Sequence, residues 1–334
     1  MFTDKQIRKI CAAISTSVFV LFPMSHFGSS FAADYPARSV TLVSPYGAGG
    51  AADLAARTMA NHASKYLQKE LVVVIKAGAA GVTGSNYVAQ SKPDGYTLLL
   101  GRVGSQSAVP ALNKTIPYAW DDFTMLGLFE FNPFSLTVSS ESGYKSIEDL
   151  KKAASSGKKL TYSSAGNGSL QHVAMVVLLD TLGLPQSSMA HVPFKGGGEA
   201  NSAVLGGHVD IFFQNLSGVM GNIKSGKLRS LAVTSSSRDP NLPGVPTFKE
   251  LGLNEMDIIV GWSAIYGPKN LPNEVVSRWT STLSSLSKDK EWLDATQKLG
   301  SVPEIMSPDE TKAFVRKQYE KFQSVGERLD LIIK

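Results

Sequence analysis

Residues 39–67 read SVTLVSPYGAGGAADLAARTMANHASKYL, and this stretch decides the fold. The apolar residues within 39–44 predict a buried strand. A glycine-rich turn at 45–50 follows at once, and the amphipathic pattern of residues 51–67 predicts a helix. A strand, a glycine turn and a helix in succession form the repeating unit of an α/β fold.

The same unit recurs along the chain. A predicted strand at 71–75 leads into a second glycine turn at 78–84, a short helix and a strand at 97–100. Ser146, with Asp149 three residues later, is the expected N-cap that opens a second series. The strands predicted in this series are 160–163, 189–192, 209–213 and 230–233. Alternating strands and helices predict mostly parallel sheets with right-handed crossovers.

The order of these elements predicts two lobes. A proline-rich stretch at 239–246 interrupts the pattern, and an extended segment at 256–266 is expected to return to the first lobe. The expected lobes are residues 34–134 with 256–334, and residues 135–255. The two crossings between them are expected near 134–137 and 259–263. Two sheets joined by two crossing strands predict a hinge.

Residues 1–32 have the pattern of a secretory signal peptide. Three basic residues precede an apolar run at 10–22, which is short for a membrane span. Small residues follow, and cleavage is predicted after Ala32, with an uncleaved anchor as the alternative. The chain is therefore expected to be periplasmic.

The composition argues against several function classes. The single cysteine, Cys11, lies within the predicted signal peptide, so the mature chain can have neither a disulfide nor a cysteine nucleophile. The formal net charge of +5 falls to +3 without residues 1–32, and the basic residues form no run, so no nucleic-acid partner is expected. No H-E-x-x-H motif and no Cys/His cluster occurs, so neither a metal nor a cofactor is expected.

Seven motifs occur in order along the mature chain: YP (35–36), PYGAGG (45–50), PDGYTLLLG (93–101), YSSAGNGS (162–169), VPFKGGG (192–198), LGGHVD (205–210) and PTFKELG (246–252). Together they resemble the Bug/TctC family of periplasmic receptors for tripartite tricarboxylate transporters, over essentially the whole mature chain. The resemblance implies a two-lobed Venus-flytrap fold that closes on a small carboxylate, a monomeric receptor and membrane transporter subunits as partners.

The resemblance further implies that both glycine loops of the first lobe hold one carboxylate, partly through ordered water. Physical chemistry agrees, because glycine lets the backbone approach a ligand and helix N-termini present unpaired N–H groups to an oxyanion. In the first lobe the residues expected at the ligand are Tyr46, Gly47, Ala48, Gly49, Gly50, Ala51, Asp53, Ala80, Gly81, Val82, Thr83 and Gly84. In the second lobe they are Ser163, Ser164, Asn167, Ser169, Lys195, Gly196, Gly197 and Asp210. Ordinary turn glycines, helix capping and, for Asp210, a solvated strand-end carboxylate are the alternative interpretations.

Arg102 departs from the family pattern, in which a small polar residue more often stands at this position. It follows a predicted strand directly, and ligands of open α/β sheets lie outside the carboxyl ends of the strands. Arginine can pair with a carboxylate through two hydrogen bonds. Phe129, Phe131 and Phe134 crowd the first crossing, where they could bracket an aromatic ligand or pack the hinge. The expected ligand is a dicarboxylate, with an aromatic one such as terephthalate as a specific hypothesis.

Two other functions are alternatives to a receptor. Residues 47–52 fit a loose dinucleotide-binding fingerprint, but Lys76 stands where an acidic residue should hold the ribose. An exported hydrolase built on the same lobes would need a nucleophile paired with a base, and no G-x-S-x-G elbow occurs. The receptor is therefore the favoured hypothesis.

Overall fold

The computed structural model describes residues 35–334, and these form two α/β lobes. The predicted signal peptide at 1–32, its cleavage point and Cys11 lie outside the described residues. Within residues 35–334, no helix has both the length and the apolar character needed to cross a membrane.

The first lobe contains a six-stranded sheet. Its strands are β1 (Val40–Ser44), β2 (Leu71–Ile75), β3 (Thr97–Arg102), β4 (Phe123–Asn132), β10 (Gly261–Pro268) and β11 (Val302–Met306), in the spatial order β11-β4-β10-β3-β1-β2. Strand β1 pairs in parallel with β2 and β3, whereas β10 and β11 pair antiparallel to their neighbours. The carboxyl ends of β1 and β3 therefore lie at the same edge of the sheet.

The second lobe contains a five-stranded sheet. Its strands are β5 (Phe134–Ser139), β6 (Leu160–Ser164), β7 (Met189–Pro193), β8 (Ile211–Asn215) and β9 (Leu228–Val233), in the order β7-β6-β8-β5-β9. Strand β6 is parallel to β7 and β8, and β5 is antiparallel to β8 and β9. Both sheets are thus mixed rather than mostly parallel, because the strands at the crossings run against those of the βα units.

Ten helices of the described range pack against the sheets. They are α1 (Ala51–Leu67), α2 (Val82–Ala89), α3 (Val109–Leu112), α4 (Ile147–Ser155), α5 (Leu170–Thr181), α6 (Gly197–Leu205), α7 (Leu216–Lys224), α8 (Asn273–Leu286), α9 (Lys290–Lys298) and α10 (Pro308–Arg328). The bounds of α1 match the predicted helix, and the predicted capping box of Ser146 with Asp149 opens α4.

The chain passes between the lobes twice. Pro133 alone separates β4 from β5, and the return follows a short 3₁₀ turn at Asn254–Ile258 and enters β10 at Gly261. The two crossings are neighbours, because Gly261 pairs with Asn132. Phe134 is buried beside Phe213 at 5.9 Å between ring centroids, so apolar packing extends through the hinge.

Candidate functional site

The two lobes meet along a glycine seam, which consists of residues 47–50 of the first lobe and 196–198 of the second. A Cβ built on Gly196 would lie 2.7 Å from the backbone nitrogen of Gly47, and one on Gly50 would lie 3.1 Å from the nitrogen of Gly198. A side chain at Gly196 or Gly50 would therefore press on the backbone of the facing lobe. The lobes are closed, and backbone approaches backbone because glycine has no Cβ.

The seam borders a small inner cavity of about 30 Å³ between the lobes. A single water needs about 10–15 Å³ on such a measure, so the cavity has the size of one small polar group such as a carboxylate. The residues that line it are Tyr46, Gly50, Ala51, Ala52, Arg102, Val103, Gly104, Phe134, Ala165, Leu170, Gln171, Gly197, Gln214 and Asn215. Of the predicted ligand residues, Tyr46, Gly50, Ala51, Arg102 and Gly197 are thus brought together here.

Four helix N-termini converge on the inner cavity. Helix α1 presents Ala51, α5 presents Leu170, α6 presents Gly197, and α7 is preceded by its N-cap residue Asn215. The first N–H groups of a helix have no partner within the helix and carry a partial positive charge. No acidic side chain is found among the described residues that line the cavity. The cavity is therefore suited to an anion.

Arg102 supplies the formal positive charge of the inner cavity and is 3% exposed. Its Nη1 donates to Ser263 Oγ at 2.6 Å, and its Nη2 donates to Asn215 Oδ1 at 3.0 Å. Nη1 also lies 3.6 Å from Oε1 of the buried Glu130. Burial lowers the pKa of Arg102 from its ordinary value, and the Glu130 carboxylate opposes this shift. Arg102 and Asn215 belong to different lobes, so their hydrogen bond spans the hinge.

The Arg102 guanidinium is held by a buried polar network at the base of the cleft. The Ser263 hydroxyl donates to Glu130 Oε1 at 2.6 Å, and Asn132 Nδ2 donates to Ser301 Oγ at 2.6 Å. Asn215 Nδ2 in turn donates to the carbonyl oxygen of Asn132 at 3.3 Å. Such a network fixes the orientation of the guanidinium.

Asp53 shapes the first glycine loop instead of lining the cavity. Its Oδ2 accepts a hydrogen bond from Gly49 N at 3.0 Å, and its Oδ1 accepts one from Arg57 Nε at 2.9 Å. Gly49 has a positive φ of 74°, which glycine adopts at no steric cost. Gly47, Ala48 and Gly49 likewise do not line the inner cavity; they lie in the seam.

The second glycine loop lies on the far side of Tyr46 from the inner cavity. The Tyr46 hydroxyl donates to the carbonyl oxygen of Ala80 at 3.0 Å, and its ring lies against Gly81. Burial raises the pKa of Tyr46 to about 12. The Tyr46 side chain thus lies between the two glycine loops, and their joint grip on one carboxylate stays a prediction. Gly81, Thr83 and Gly84 line neither this cavity nor the larger one described next.

Ala80 and Val82 instead line an outer groove of about 770 Å³ between the lobes. Asn167 and Lys195 of the second lobe also line this groove, together with the C-terminal residues Leu331 and Ile333. The predicted ligand residues are thus divided between two spaces. Ala165 lines both of them and forms a shared wall.

The predicted serines of the second lobe are structural. Ser163 Oγ donates to the carbonyl oxygen of Ala200 at 3.1 Å, and Ser169 is the N-cap of α5, where it accepts from His172 N. Ser164 Oγ lies 2.6 Å from His191 Nε2 and accepts a hydrogen bond from Gly166 N at 3.1 Å. All three serines are fully buried and line neither cavity.

The Ser164–His191 pair is the arrangement that a hydrolase would require, but it faces the protein interior. His191 stacks on His172 at 4.2 Å between centroids, and the Tyr162 ring also stacks on His191 at 4.9 Å. Within residues 35–334, His191 has no acidic residue as a hydrogen-bond partner. Burial lowers the pKa of His191 to about 4, with a smaller contribution from His172. Because Ser164 is buried, its hydroxyl cannot reach a solute in either cavity.

Asp210 and Gly196 also differ from expectation. Asp210 precedes β8, at the opposite end of that strand from the cleft, and its Oδ2 accepts from Thr161 N at 2.8 Å and from Thr161 Oγ1 at 2.9 Å. This position agrees with the alternative interpretation of Asp210 as a strand-end carboxylate. Gly196 belongs to the seam rather than to a cavity wall.

The three phenylalanines have three separate environments. Phe134 lines the inner cavity, whereas Phe129 is buried within the first lobe. Phe131 packs edge-on against Phe314 of α10 at 5.4 Å between centroids. They do not form an aromatic bracket around one space.

Sequence reasoning missed the second-lobe wall of the inner cavity. Gln214 and Asn215 end β8, and Gln171 lies in the first turn of α5. Gln171 Nε2 donates to Gln214 Oε1 at 3.2 Å, and the same oxygen accepts from Asn215 N at 2.8 Å. The rule that ligands lie outside the carboxyl ends of strands, which selected Arg102, applies equally to Asn215.

One cluster in the described part of the chain has the spacing of metal ligands, formed by His62, Asp289 and Glu291. It lies outside the cleft. The Lys65 ammonium is 2.6 Å from Asp289 Oδ2, and Asp289 Oδ1 caps α9. The Asp289 carboxylate, which a metal cation would need as a ligand, is thus already paired with Lys65.

The chain is similar to known solute-binding receptors. It matches the family described as tripartite tricarboxylate transporter family receptor over residues 55–331. Protein BugT of Bordetella pertussis is 30% identical over 294 residues, which cover 87% of this chain and 89% of BugT.

Two solved structures from Rhodopseudomonas palustris share the fold and were determined with ligands. MatC with bound malate is 26% identical, with a TM-score of 0.82, over 87% of this chain and 99% of that chain. Rpa4515 with adipate is also 26% identical, with a TM-score of 0.84, over 89% of this chain and 99% of that chain.

Proposed function

Because the chain belongs to the tripartite tricarboxylate transporter receptor family, we propose that it is a periplasmic solute-binding protein that captures a small carboxylate and delivers it to a tripartite membrane transporter. Two α/β lobes joined by adjacent crossings support this role, since a ligand between them can be enclosed by hinge closure. The proposal includes export through cleavage after Ala32 and a monomeric receptor.

The observation that carries the proposal is the convergence of four helix N-termini with Arg102 on one inner cavity. Unpaired N–H groups and a guanidinium both favour an oxyanion over a neutral or cationic group. The cavity has the size of one acid group, and both lobes supply its walls. Affinity for a carboxylate is therefore completed only when the lobes close.

A dicarboxylate is the favoured ligand, and an aromatic one such as terephthalate is among the candidates. The malate- and adipate-bound relatives hold ligands with two acid groups. In this chain one acid group would bind Arg102 in the inner cavity. The remainder of the ligand must then extend beyond a space of about 30 Å³.

A thermal-shift screen tests the ligand class. Succinate, malate, adipate and terephthalate are compared with glucose and leucine at equal concentration. A ligand that binds only the folded state at 100 times its Kd stabilises that state by about 2.7 kcal/mol. Carboxylates alone should raise the melting temperature. Stabilisation by the neutral solutes alone would contradict the proposal.

Receptor and enzyme are separated by recovering the ligand. The protein should bind its carboxylate stoichiometrically and return it unchanged, as judged by chromatography after prolonged incubation. Turnover that disappears in Ser164→Ala, with the fold retained by circular dichroism, would instead show that the Ser164–His191 pair is catalytic.

A further inference from the structure

We propose that the outer groove is a second subsite of the ligand site, and that it takes the hydrophobic body of a carboxylate whose acid group is held in the inner cavity. This inference rests on the proposed function, because it assigns the acid group to Arg102. It names the ligand class more closely, as a carboxylate with an extended apolar chain or ring.

The walls of the outer groove are mainly apolar. Val109, Leu112 and Ile116 line it from the first lobe, and Val173 and Phe194 line it from the second. Concave sites of several hundred Å³ with mostly hydrophobic walls are typical of small-molecule subsites. Since both lobes contribute, an occupant of the groove would be contacted fully only in the closed form.

Ile333 extends this apolar surface at the mouth of the groove and is 47% exposed. Its side chain is left in solvent although its backbone is fixed, because Ile333 N donates to the carbonyl oxygen of Leu112 at 2.7 Å. Lys195 and Asp330 also line the groove, but their charges are opposite. Neither sign of ligand charge is therefore favoured there.

The outer groove and the inner cavity are separated by a thin partition. Ala165 lines both spaces, and a Cβ on the next residue, Gly166, would lie 3.4 Å from the backbone nitrogen of Ala80. The partition consists of methyl groups and backbone from opposite lobes. A small local separation of Ala80 from Gly166 would join the two spaces.

The partition also carries backbone strain. Ala79 and Ala80 have positive φ values of 45° and 54°, which are unusual for residues with a Cβ. Strained backbone of this kind persists where surrounding contacts fix it, and it clusters at ligand sites. Here Tyr46, which lines the inner cavity, donates a hydrogen bond from its hydroxyl to the carbonyl oxygen of Ala80. Tyr46 thus connects the two spaces physically.

Isothermal titration calorimetry with unbranched monocarboxylates from propionate to octanoate tests the inference. Each methylene buried in the groove should raise the affinity about fourfold, from the usual transfer free energy of a CH₂ group. The double variant Ile116→Asn with Ile333→Asn should lower the ratio of octanoate affinity to propionate affinity by about tenfold or more. Leu251→Asn is the matched control, since Leu251 is 44% exposed and lies outside the groove.

The outcomes separate this inference from the proposed function. Affinity that is flat or falls with chain length, while propionate still binds, would overturn the outer subsite and leave the carboxylate receptor intact. A chain-length gain that the groove variant shares equally with Leu251→Asn would also overturn it. If no carboxylate binds to the folded protein, both proposals fail. Circular dichroism of each variant establishes that it is folded.

Discussion

A Cβ on Gly198, at the start of α6, would clash with the carbonyl oxygen of Ala48 in the facing lobe. Any side chain at residue 198 must therefore push the lobes apart. Overpacking of a closed contact costs about 1–3 kcal/mol, which corresponds to about five- to 150-fold in an equilibrium constant. We expect this free-energy cost to oppose lobe closure rather than the folding of either lobe, because the two atoms belong to different lobes.

We accordingly expect Gly198→Ala to weaken carboxylate binding by roughly tenfold or more. In small-angle scattering, the wild type should have a smaller radius of gyration with a saturating carboxylate than without it, and the variant should not reach the smaller value. Gly221→Ala is the control, because Gly221 lies in α7 with no atom within 4 Å of its Cβ position. Equal affinities for the two variants would show that the seam does not limit closure.

Gly50 gives a graded version of the same test. Its φ is −94°, so a side chain at this position brings no backbone strain, and a Cβ would lie 3.1 Å from Gly198 N. Gly50→Ala should lower carboxylate affinity slightly, and Gly50→Val should lower it by about 1–3 kcal/mol. Calorimetric titration measures both. A folded Gly50→Val protein with unchanged affinity would refute the assignment of the first glycine loop.

Variants of Arg102 and Glu130 should distinguish an effect on ligand affinity from an effect on the free energy of unfolding. Arg102→Gln leaves the Glu130 carboxylate buried without its ion-pair partner, which typically costs about 3–5 kcal/mol. Adding Glu130→Gln should restore most of the free energy of unfolding in urea, because both buried charges are then gone. Carboxylate affinity should stay low in the double variant. If the double variant binds as the wild type does, Arg102 serves only the fold.

The histidine stack should make stability depend on pH. His191 has a pKa lowered to about 4, chiefly by burial, whereas an unfolded histidine titrates near about 6.5. Between these values the unfolded chain binds a proton that the folded chain does not, so the free energy of unfolding falls as the pH falls. Lowering the pH from about 7 to about 5 should reduce the melting temperature less in His191→Gln than in the wild type.

The exposed His208 supplies the control for this experiment. His208→Gln should keep the wild-type dependence on pH, because His208 is exposed and lies outside the histidine stack. An identical pH dependence for His191→Gln and the wild type would contradict the assignment of a neutral, buried His191.

The sequence predicted the βα units well and the hinge strands poorly. The helix at 51–67 and the strand at 71–75 have clear periodicity and glycine or polar boundaries, and both are observed with these bounds. Strands β4 and β5 mix apolar residues with polar ones such as Thr124, Glu130 and Ser135 without a regular alternation, so periodicity alone does not predict them. Pro133 separates these two strands, and the sequence pattern did not indicate that one extended segment contributes a strand to each sheet.

A two-residue error in one strand accounts for much of what the site prediction missed. The predicted strand at 209–213 is observed as β8 at Ile211–Asn215. Because of this shift, Asp210 was predicted to lie near the cleft and Asn215 was not predicted as a site residue. Asn215 is nevertheless the residue that accepts a hydrogen bond from Arg102. Separation of the two glycine loops by Tyr46 is a tertiary contact between residues 34 apart, for which the sequence carries no local signal.

The hinge limits the directions in which the two lobes can move relative to each other. Pro133 has a φ held near about −65° by its ring and has no N–H to exchange between partners. Gly261 pairs with Asn132 beside it, so the two crossings run together as one ribbon. A ribbon bends readily across its flat face but resists shear in its own plane. We therefore expect bending across that face to be the main movement between the lobes. Selectivity can then be set by the width of a single gap, without any need for the receptor to adapt its shape to each solute.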